Sequence, residues 1–243
     1  MRRQVRTQAL KAVLRGGMPK RAWSQARRAA SLHLLEIYAN LAQRGAHLLA
    51  SLLAGQPPRQ WVHYPEDDAI DSESGFQWFY HSHAPEDRTG SDEHGHVHLF
   101  AQKKLWSRRL RSAREIQFAT LEGGLEGGAN TRHLLSIGFD AKGLPNSLFT
   151  VNSWVTGDLM LSASTTANLL DRLSLSTGNA DVDAVVTSVV SLYRKEIRVL
   201  LDARDKQLFG YQGEKVLTDT SLEVLSALVI HIDEKLAVEL QSH

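Results

Sequence analysis

The chain has 243 residues and a formal net charge of +1, with 28 Lys and Arg residues against 27 Asp and Glu residues. The hydrophobic fraction of 42% and the charged fraction of 23% are ordinary for a globular protein with a core of normal size. The charge balance excludes a global bias toward nucleic acid. The absence of cysteine excludes disulfides, thiolate zinc sites and iron–sulfur clusters. No apolar run reaches the length of about 18 residues that a membrane helix needs, so we expect a soluble, cytoplasmic protein without a membrane partner.

The neutral total conceals two regions of opposite charge. Residues 1–30 contain nine Lys or Arg residues and no acid, whereas residues 65–95 contain nine acids and one arginine. We predict a basic N-terminal extension over residues 1–30 and a single domain over residues 31–243. The extension is interpreted first as a solvated segment leading into a helix, with a nucleic-acid arm or a transit segment as alternatives.

The predicted elements of the first half surround a hairpin. Residues 24–54 show helical spacing of leucines and end at glycine and a proline pair, and residues 59–75 look like an acidic loop. Aromatic-rich residues 76–83 and residues 94–101 are predicted strands, separated by turn-forming residues 84–93. Residues 103–114 are weakly helical, and glycine-rich residues 122–128 are predicted to form a loop.

The second half contains a further hairpin followed by helices. Residues 132–139 and 147–152 are predicted strands, and residues 157–173, 181–204 and 219–240 are predicted helices. Strands bracketed by runs of helices predict an α+β fold, in which an antiparallel sheet of about four strands packs with N- and C-terminal helices.

The most informative feature is a concentration of histidine in the first hairpin. Five of the 11 histidines fall within eighteen residues, at every second position of the strings YHSH and EHGHVH. Alternate residues of a strand share one face, so the histidines of each string should point the same way. The candidate metal ligands are therefore His81, His83, His94, His96 and His98, with His133 of the third predicted strand as an additional candidate.

The simplest hairpin places His83 opposite His94, His81 opposite His96, and Phe79 opposite His98. Directly opposed side chains have Cβ atoms about 4.5–5.5 Å apart, close enough for imidazoles to share an ion. A slip of one residue would send one set of histidines to the other face. Clustered imidazoles repel when protonated, and this favours a bound divalent transition metal, namely iron, zinc, manganese or copper.

Three further residues are candidates for a catalytic role. Glu93 immediately precedes the second histidine string and could act as a ligand or a general base. Asn152 and Trp154 stand where the fourth predicted strand enters a turn, and their polar tips could line a substrate pocket. The alternative interpretations are a loop carboxylate for Glu93, and a turn and a core position for Asn152 and Trp154.

Several motifs resemble an uncharacterised bacterial domain family of unknown function. They are the aromatic-His-x-His segment at residues 80–83, Glu-His-Gly-His-x-His at residues 93–98, Asp-x-x-Gly-x-Pro at residues 140–145, and Phe-Thr-x-Asn-x-Trp-Val-Thr-Gly at residues 149–157. The resemblance covers roughly residues 30–205. This chain departs from the pattern at Val97, where the family has an aromatic residue, and at Ser153, where it has arginine. The resemblance implies a shared site without naming its chemistry.

Three functions remain open from the sequence. The leading hypothesis is a metal-dependent enzyme with a His-rich site on an antiparallel sheet, acting on a small-molecule substrate. The second is a non-catalytic metal-binding protein, such as a sensor, buffer or chaperone, which differs by lacking an open coordination position. The third is a nucleic-acid-associated protein that uses the basic N-terminus, and nucleic acid is the least favoured partner.

Overall fold

The centre of the protein is one six-stranded antiparallel sheet whose strand order follows the chain order. A computed structural model describes residues 20–53, 59–60, 62–83, 92–121, 130–213 and 215–241. The α+β prediction is confirmed, with six strands instead of about four. The strands are β1 (Tyr64–Ile70), β2 (Phe76–Ser82), β3 (Gly95–Gln102), β4 (Thr131–Phe139), β5 (Pro145–Val151) and β6 (Val224–Val229).

Helices lie before, between and after the strands. They are α1 (Lys20–Gln43), α2 (Ala50–Leu53), α3 (Lys103–Trp106), α4 (Ala113–Ala119), α5 (Ser153–Thr156), α6 (Ala163–Leu170), α7 (Ala180–Leu192), α8 (Arg194–Gly210) and α9 (Ile232–Gln241). Short 3₁₀ turns cover Arg109–Arg111 and Val216–Thr218. In the part of the chain that the structure describes, no helix is long and apolar enough to cross a membrane.

The two strands that the sequence did not predict are the edges of the sheet. β1 lies in the expected acidic loop, because an edge strand tolerates exposed acids that give no apolar alternation. β6 lies inside the predicted helix 219–240. Leu225 and Val229 have helical spacing, but in the structure Leu225 is buried and Val229 is 70% exposed. Pairing with β5 therefore overrides the helical pattern.

The predicted helices are also shorter than expected. The helix predicted over residues 24–54 ends at Gln43, because Gly45 adopts a left-handed conformation with φ of 62°. The helix predicted over residues 181–204 is divided at Tyr193 into α7 and α8. The boundary proposed at residue 30 stays a prediction, since residues 1–19 lie outside the described residues and α1 begins at Lys20.

The two faces of the sheet have different chemistry. One face carries fully buried apolar side chains such as Trp78, Val97 and Leu135, which belong to the same core as residues of α1 and α7. The other face carries alternate residues of β2 and β3, including His81 and His98, which are also buried. The apolar face stabilises the fold, and this leaves the other face available for a polar site.

A buried carboxylate links the sheet to the helical layer. Asp183 of α7 accepts a hydrogen bond from the indole Nε1 of Trp78 at 2.8 Å and from the backbone N–H of Thr177 at 2.7 Å. The Thr177 hydroxyl also donates to Asp183 at 2.8 Å. Trp78 is fully buried, so its N–H has no access to solvent as a substitute acceptor.

We therefore expect Asp183→Ala to destabilise the protein by about 2–4 kcal/mol, because it leaves buried donors without an acceptor. The control is Asp181→Ala in the same helix, which removes an exposed ion pair with Arg44 and should cost under about 1 kcal/mol. Urea denaturation of both variants measures the difference. Equal losses would contradict the assigned role of Asp183.

Candidate metal centre

The pairing of β2 with β3 has the register predicted from the sequence. His81 pairs with His96, and Phe79 pairs with His98. Each of these residues lies on the same face as its partner, because paired residues of neighbouring strands share a face. The register thus brings both histidine strings together on one side of the sheet.

Three imidazole nitrogens meet at the centre of this face. His81 Nε2 lies 2.7 Å from His96 Nε2, and His98 Nε2 lies 2.9 Å from the same atom. The half-buried His83 completes a group with His81 and His96, in which all ligand atoms lie within 4.8 Å of one another. These three histidines are close enough to bind one metal ion.

The outer nitrogen of His96 contacts a carboxylate. Glu93 Oε1 lies 2.7 Å from His96 Nδ1, and the Ser147 hydroxyl donates to Glu93 Oε2 at 3.0 Å. A neutral His96 that donates its Nδ1–H to Glu93 keeps the lone pair of Nε2 for the centre. Such a carboxylate fixes the tautomer and the orientation of a metal-ligating histidine.

A glycine makes room for this carboxylate. Gly138 of β4 pairs with His96 on one side and with Ser147 on the other. A Cβ atom built on Gly138 would lie 2.5 Å from Glu93 Oε2 and would overlap the Ser147 hydroxyl. The position of Glu93 over the sheet therefore depends on the missing side chain.

The outer nitrogen of His98 contacts a second polar group. The Ser136 hydroxyl lies 3.0 Å from His98 Nδ1, and His133 Nε2 lies 3.1 Å from the same nitrogen. His133 Nε2 and the Ser136 hydroxyl are 3.2 Å apart. His133 is thus close to His98. It contacts Nδ1 of His98, whereas Nε2 of His98 faces His96.

Burial favours the neutral form of His98 and His133. Phenyl rings of Phe79, Phe100 and Phe149 pack against the imidazoles of the cluster, with Phe149 edge-on to His96 at 4.9 Å. Burial, and then the charges of His133 and His81, hold the pKa of His98 well below its usual range. Burial and Arg204 lower the pKa of His133 to about 3. Neutral imidazoles are the form that binds a metal ion.

His94 does not join the cluster, and the expected convergence of its ring with the others is wrong. Its Nδ1 lies 2.7 Å from the hydroxyl of Tyr80, which belongs to the apolar core. Regular pairing of β2 with β3 stops at Gly95, so alternation along β3 does not extend to His94. Glu93 takes the place on the cluster face that His94 was expected to fill.

Asn152 and Trp154 are held by backbone groups of the 216–222 segment. Asn152 is fully buried, donates to the Val216 carbonyl at 2.8 Å and accepts from the Ser153 N–H at 2.8 Å. Trp154 donates to the Leu222 carbonyl at 3.1 Å. These bonds use both polar atoms of the Asn152 side chain and the indole N–H of Trp154. The bond from Ser153 caps the start of α5, and the bond to Val216 holds the 3₁₀ turn Val216–Thr218 in place. The structure does not bring either residue to the histidines through any described contact.

The family comparison agrees with the sequence motifs. A family model described as "Domain of unknown function (DUF6969)" matches residues 28–230. The chain belongs to the DUF6969 family. This confirms the expected resemblance to a domain family of unknown function. No curated protein and no solved structure matches the chain.

Sequence reasoning missed the small residues that shape this site. Ser136 and Gly138 alternate with large apolar residues along β4. Ser147 of the neighbouring strand β5 pairs with Gly138. The alternation of small and large residues was a usable signal that one face of β4 is crowded by its neighbours. Their roles also depend on the pairing of β3, β4 and β5, which the sequence leaves open.

We predict that Gly138→Ala displaces Glu93 from His96 and weakens metal binding by about 10- to 100-fold, the usual effect of losing a group that orients a ligand. The matched control is Gly210→Ala at the end of α8, where an added Cβ atom meets nothing within 4 Å. Isothermal titration with zinc measures both affinities. An unchanged affinity in Gly138→Ala, with the fold intact, would show that the Glu93 contact does not matter.

Proposed function

We propose that this protein is a metal-dependent enzyme whose transition-metal ion is bound by His81, His83 and His96. The observation that carries the proposal is the crowding of nitrogens around His96 Nε2, which has ring nitrogens at 2.7 and 2.9 Å. A ring nitrogen has either one hydrogen or one lone pair, so it makes only one good hydrogen bond. A divalent cation removes this competition, because it accepts a lone pair from each nitrogen.

The distance between His81 and His96 fits such an ion with little movement. Nitrogens that bind one zinc ion at about 2.0–2.1 Å stand roughly 3 Å apart or slightly more. The ring tips of His81 and His96 would need to separate by only a few tenths of an ångström, and His83, whose ligand atom lies within 4.8 Å of theirs, would move inward. The carboxylate of Glu93 supports the same proposal, since it is placed to orient His96 and to increase its basicity. The catalytic role first expected for Glu93 stays a prediction, and its position fits a positioning residue better.

The donor set favours activation of water as the chemistry. Three neutral imidazoles leave the full positive charge on a divalent ion, and such an ion lowers the pKa of a bound water to about 7. In addition, the surrounding phenyl rings of Phe79, Phe100 and Phe149 reduce the local dielectric constant and strengthen this effect. A hydrolytic or hydration reaction on a small molecule follows from these properties.

A non-catalytic metal-binding protein is the second candidate, and one observation favours it. His98 Nε2 lies 2.9 Å from His96 Nε2, so His98 could supply a fourth imidazole and close a tetrahedral site. The two functions differ in the number of coordination positions left for water. Azide added to the cobalt(II)-loaded protein should change the visible absorption spectrum if a position is open, as an enzyme requires. An unchanged spectrum would favour the non-catalytic protein.

His94 and His96, two histidines of the EHGHVH string, provide a matched test of the site. His96→Ala should abolish stoichiometric metal binding, whereas His94→Ala should retain it, because His94 bonds to Tyr80 away from the cluster. Elemental analysis of protein purified without a histidine tag measures both variants, with His231→Ala as an exposed control. Equal metal contents in His94→Ala and His96→Ala would refute the assignment.

Metal removal should also reduce stability, because the folded state alone assembles the three ligands. Saturation at 100 times Kd adds about 2.7 kcal/mol. A chelator should therefore lower the Tm of the wild type by roughly 5–10 °C. It should barely change the Tm of a His81→Ala, His96→Ala double variant. A wild-type Tm that does not change when the chelator is added would contradict the proposal that the folded protein binds a metal ion tightly.

A further inference from the structure

A cavity of about 170 Å³ lies in the helical layer, away from the histidine face of the sheet. It is lined by side chains of α1, α7 and α8 and of the chain around the end of α6. Its apolar floor includes Leu170, Val190 and Ile197, which belong to the same core as the apolar face of the sheet. No described residue of the histidine cluster lines it. The cavity is therefore separate from the candidate metal centre.

Two arginines that line this cavity share one carboxylate. Arg194 donates to Asp171 from Nε and, at 2.7 Å, from Nη2, and Arg198 donates to the same carboxylate from Nη2 at 2.5 Å. All three side chains are partly buried, so solvent screens their charges less than it would at an exposed surface. Two positive charges against one negative charge leave one unit of positive charge beside an apolar floor.

Further cations stand next to this cavity. An adjoining cavity is lined by Trp23, Arg27, Arg194 and Lys195, of which Trp23 and Arg194 line the first cavity as well. Arg27 forms an ion pair with Glu239 at 2.8 Å, and Lys195 adds one more positive charge. The surroundings thus add to the excess positive charge and do not cancel it.

One of the two arginines has a buried donor without an acceptor. The Nε atom of Arg198 is closed to solvent and has no hydrogen-bond partner in the part of the chain that the structure describes. Buried polar groups of native proteins nearly always have a partner, so this atom indicates an acceptor that the chain itself does not supply. Arginine binds carboxylates through two parallel N–H groups, and Nε is one member of such a pair.

The size and the charge of the cavity select the class of acceptor. A cavity of about 150 Å³ is sufficient to hold benzene, so an apolar body of that size fits here. A single excess positive charge favours a monoanion, because Asp171 would repel the second charge of a dianion such as phosphate. The indole ring of Trp23 adds an aromatic wall, and the guanidinium of Arg194 lies 3.3 Å from its centroid.

We propose that this cavity binds a small monocarboxylate with a benzene-sized apolar body. The carboxylate accepts a hydrogen bond from Nε of Arg198, and the apolar body contacts Leu170, Val190 and Ile197. The inference does not depend on the proposed function, because the cavity and the histidine cluster share no described residue.

The test is isothermal titration of the full chain with benzoate, in buffer without added metal ions. Benzoate should bind saturably. Benzyl alcohol has the ring without the charge, and acetate has the charge without the ring. Each should therefore bind at least about tenfold more weakly than benzoate, since each lacks one half of the interaction.

Two variants locate the binding. Arg198→Gln should weaken benzoate binding by about tenfold or more, because it removes a charged donor. The matched control is Arg172→Gln, an exposed arginine next to Asp171 that does not line the cavity, and it should leave the affinity unchanged. Ala26→Leu places a larger side chain in the cavity from α1 and should also prevent binding. This second variant keeps the test decisive if Arg198→Gln fails to fold.

Three results would overturn the inference. The first is a wild type that does not bind benzoate at millimolar concentrations. The second is equal affinity for benzoate and benzyl alcohol, because the arginines would then have no part in binding. The third is wild-type affinity in a folded Arg198→Gln or Ala26→Leu variant, because benzoate would then bind elsewhere. None of these results bears on the metal centre, which the metal analysis of His96→Ala tests separately.

Discussion

The pairing of His81 with His96 across β2 and β3 is the constraint on which the site depends. It fixes both histidine strings on one face, because a shift of one residue would move either string to the apolar core. Pairing of β3 with β4 then places Ser136 beside His98 and Gly138 beside His96. The candidate ligands follow from the β2–β3 register, and their polar partners and the space for Glu93 follow from the pairing of β3, β4 and β5.

Burying this polar face has a cost that the rest of the fold must offset. Each imidazole loses hydration when it is buried, and an unsatisfied buried donor or acceptor costs about 1–3 kcal/mol. The opposite face of the sheet packs apolar side chains against α1 and α7, and hydrogen bonds to Asp183 join the two layers. Polar contacts of Glu93 and Ser136 satisfy the outer nitrogens of His96 and His98. A bound cation would accept a lone pair from each inner nitrogen.

The sequence predicted the hairpin well because its signal is local. The alternation of histidines and the simplest closure of the hairpin gave the β2–β3 register that the structure has, whereas the intervening segment alone also allowed a slip of one residue. The edge strands were missed because β1 carries exposed acids and β6 has helical spacing, so neighbouring strands decide their conformation. The ring of His94 was misplaced for a related reason, since alternation stops where pairing stops at Gly95.

The most direct test of the account is a crystal structure of the zinc-loaded protein, with the ion located by its anomalous scattering. The account predicts one strong peak bonded to nitrogens of His81, His83 and His96, with Glu93 still bonded to His96 Nδ1 and His94 remote from the ion. A peak bonded to His94, or no peak at this face of the sheet, would contradict it.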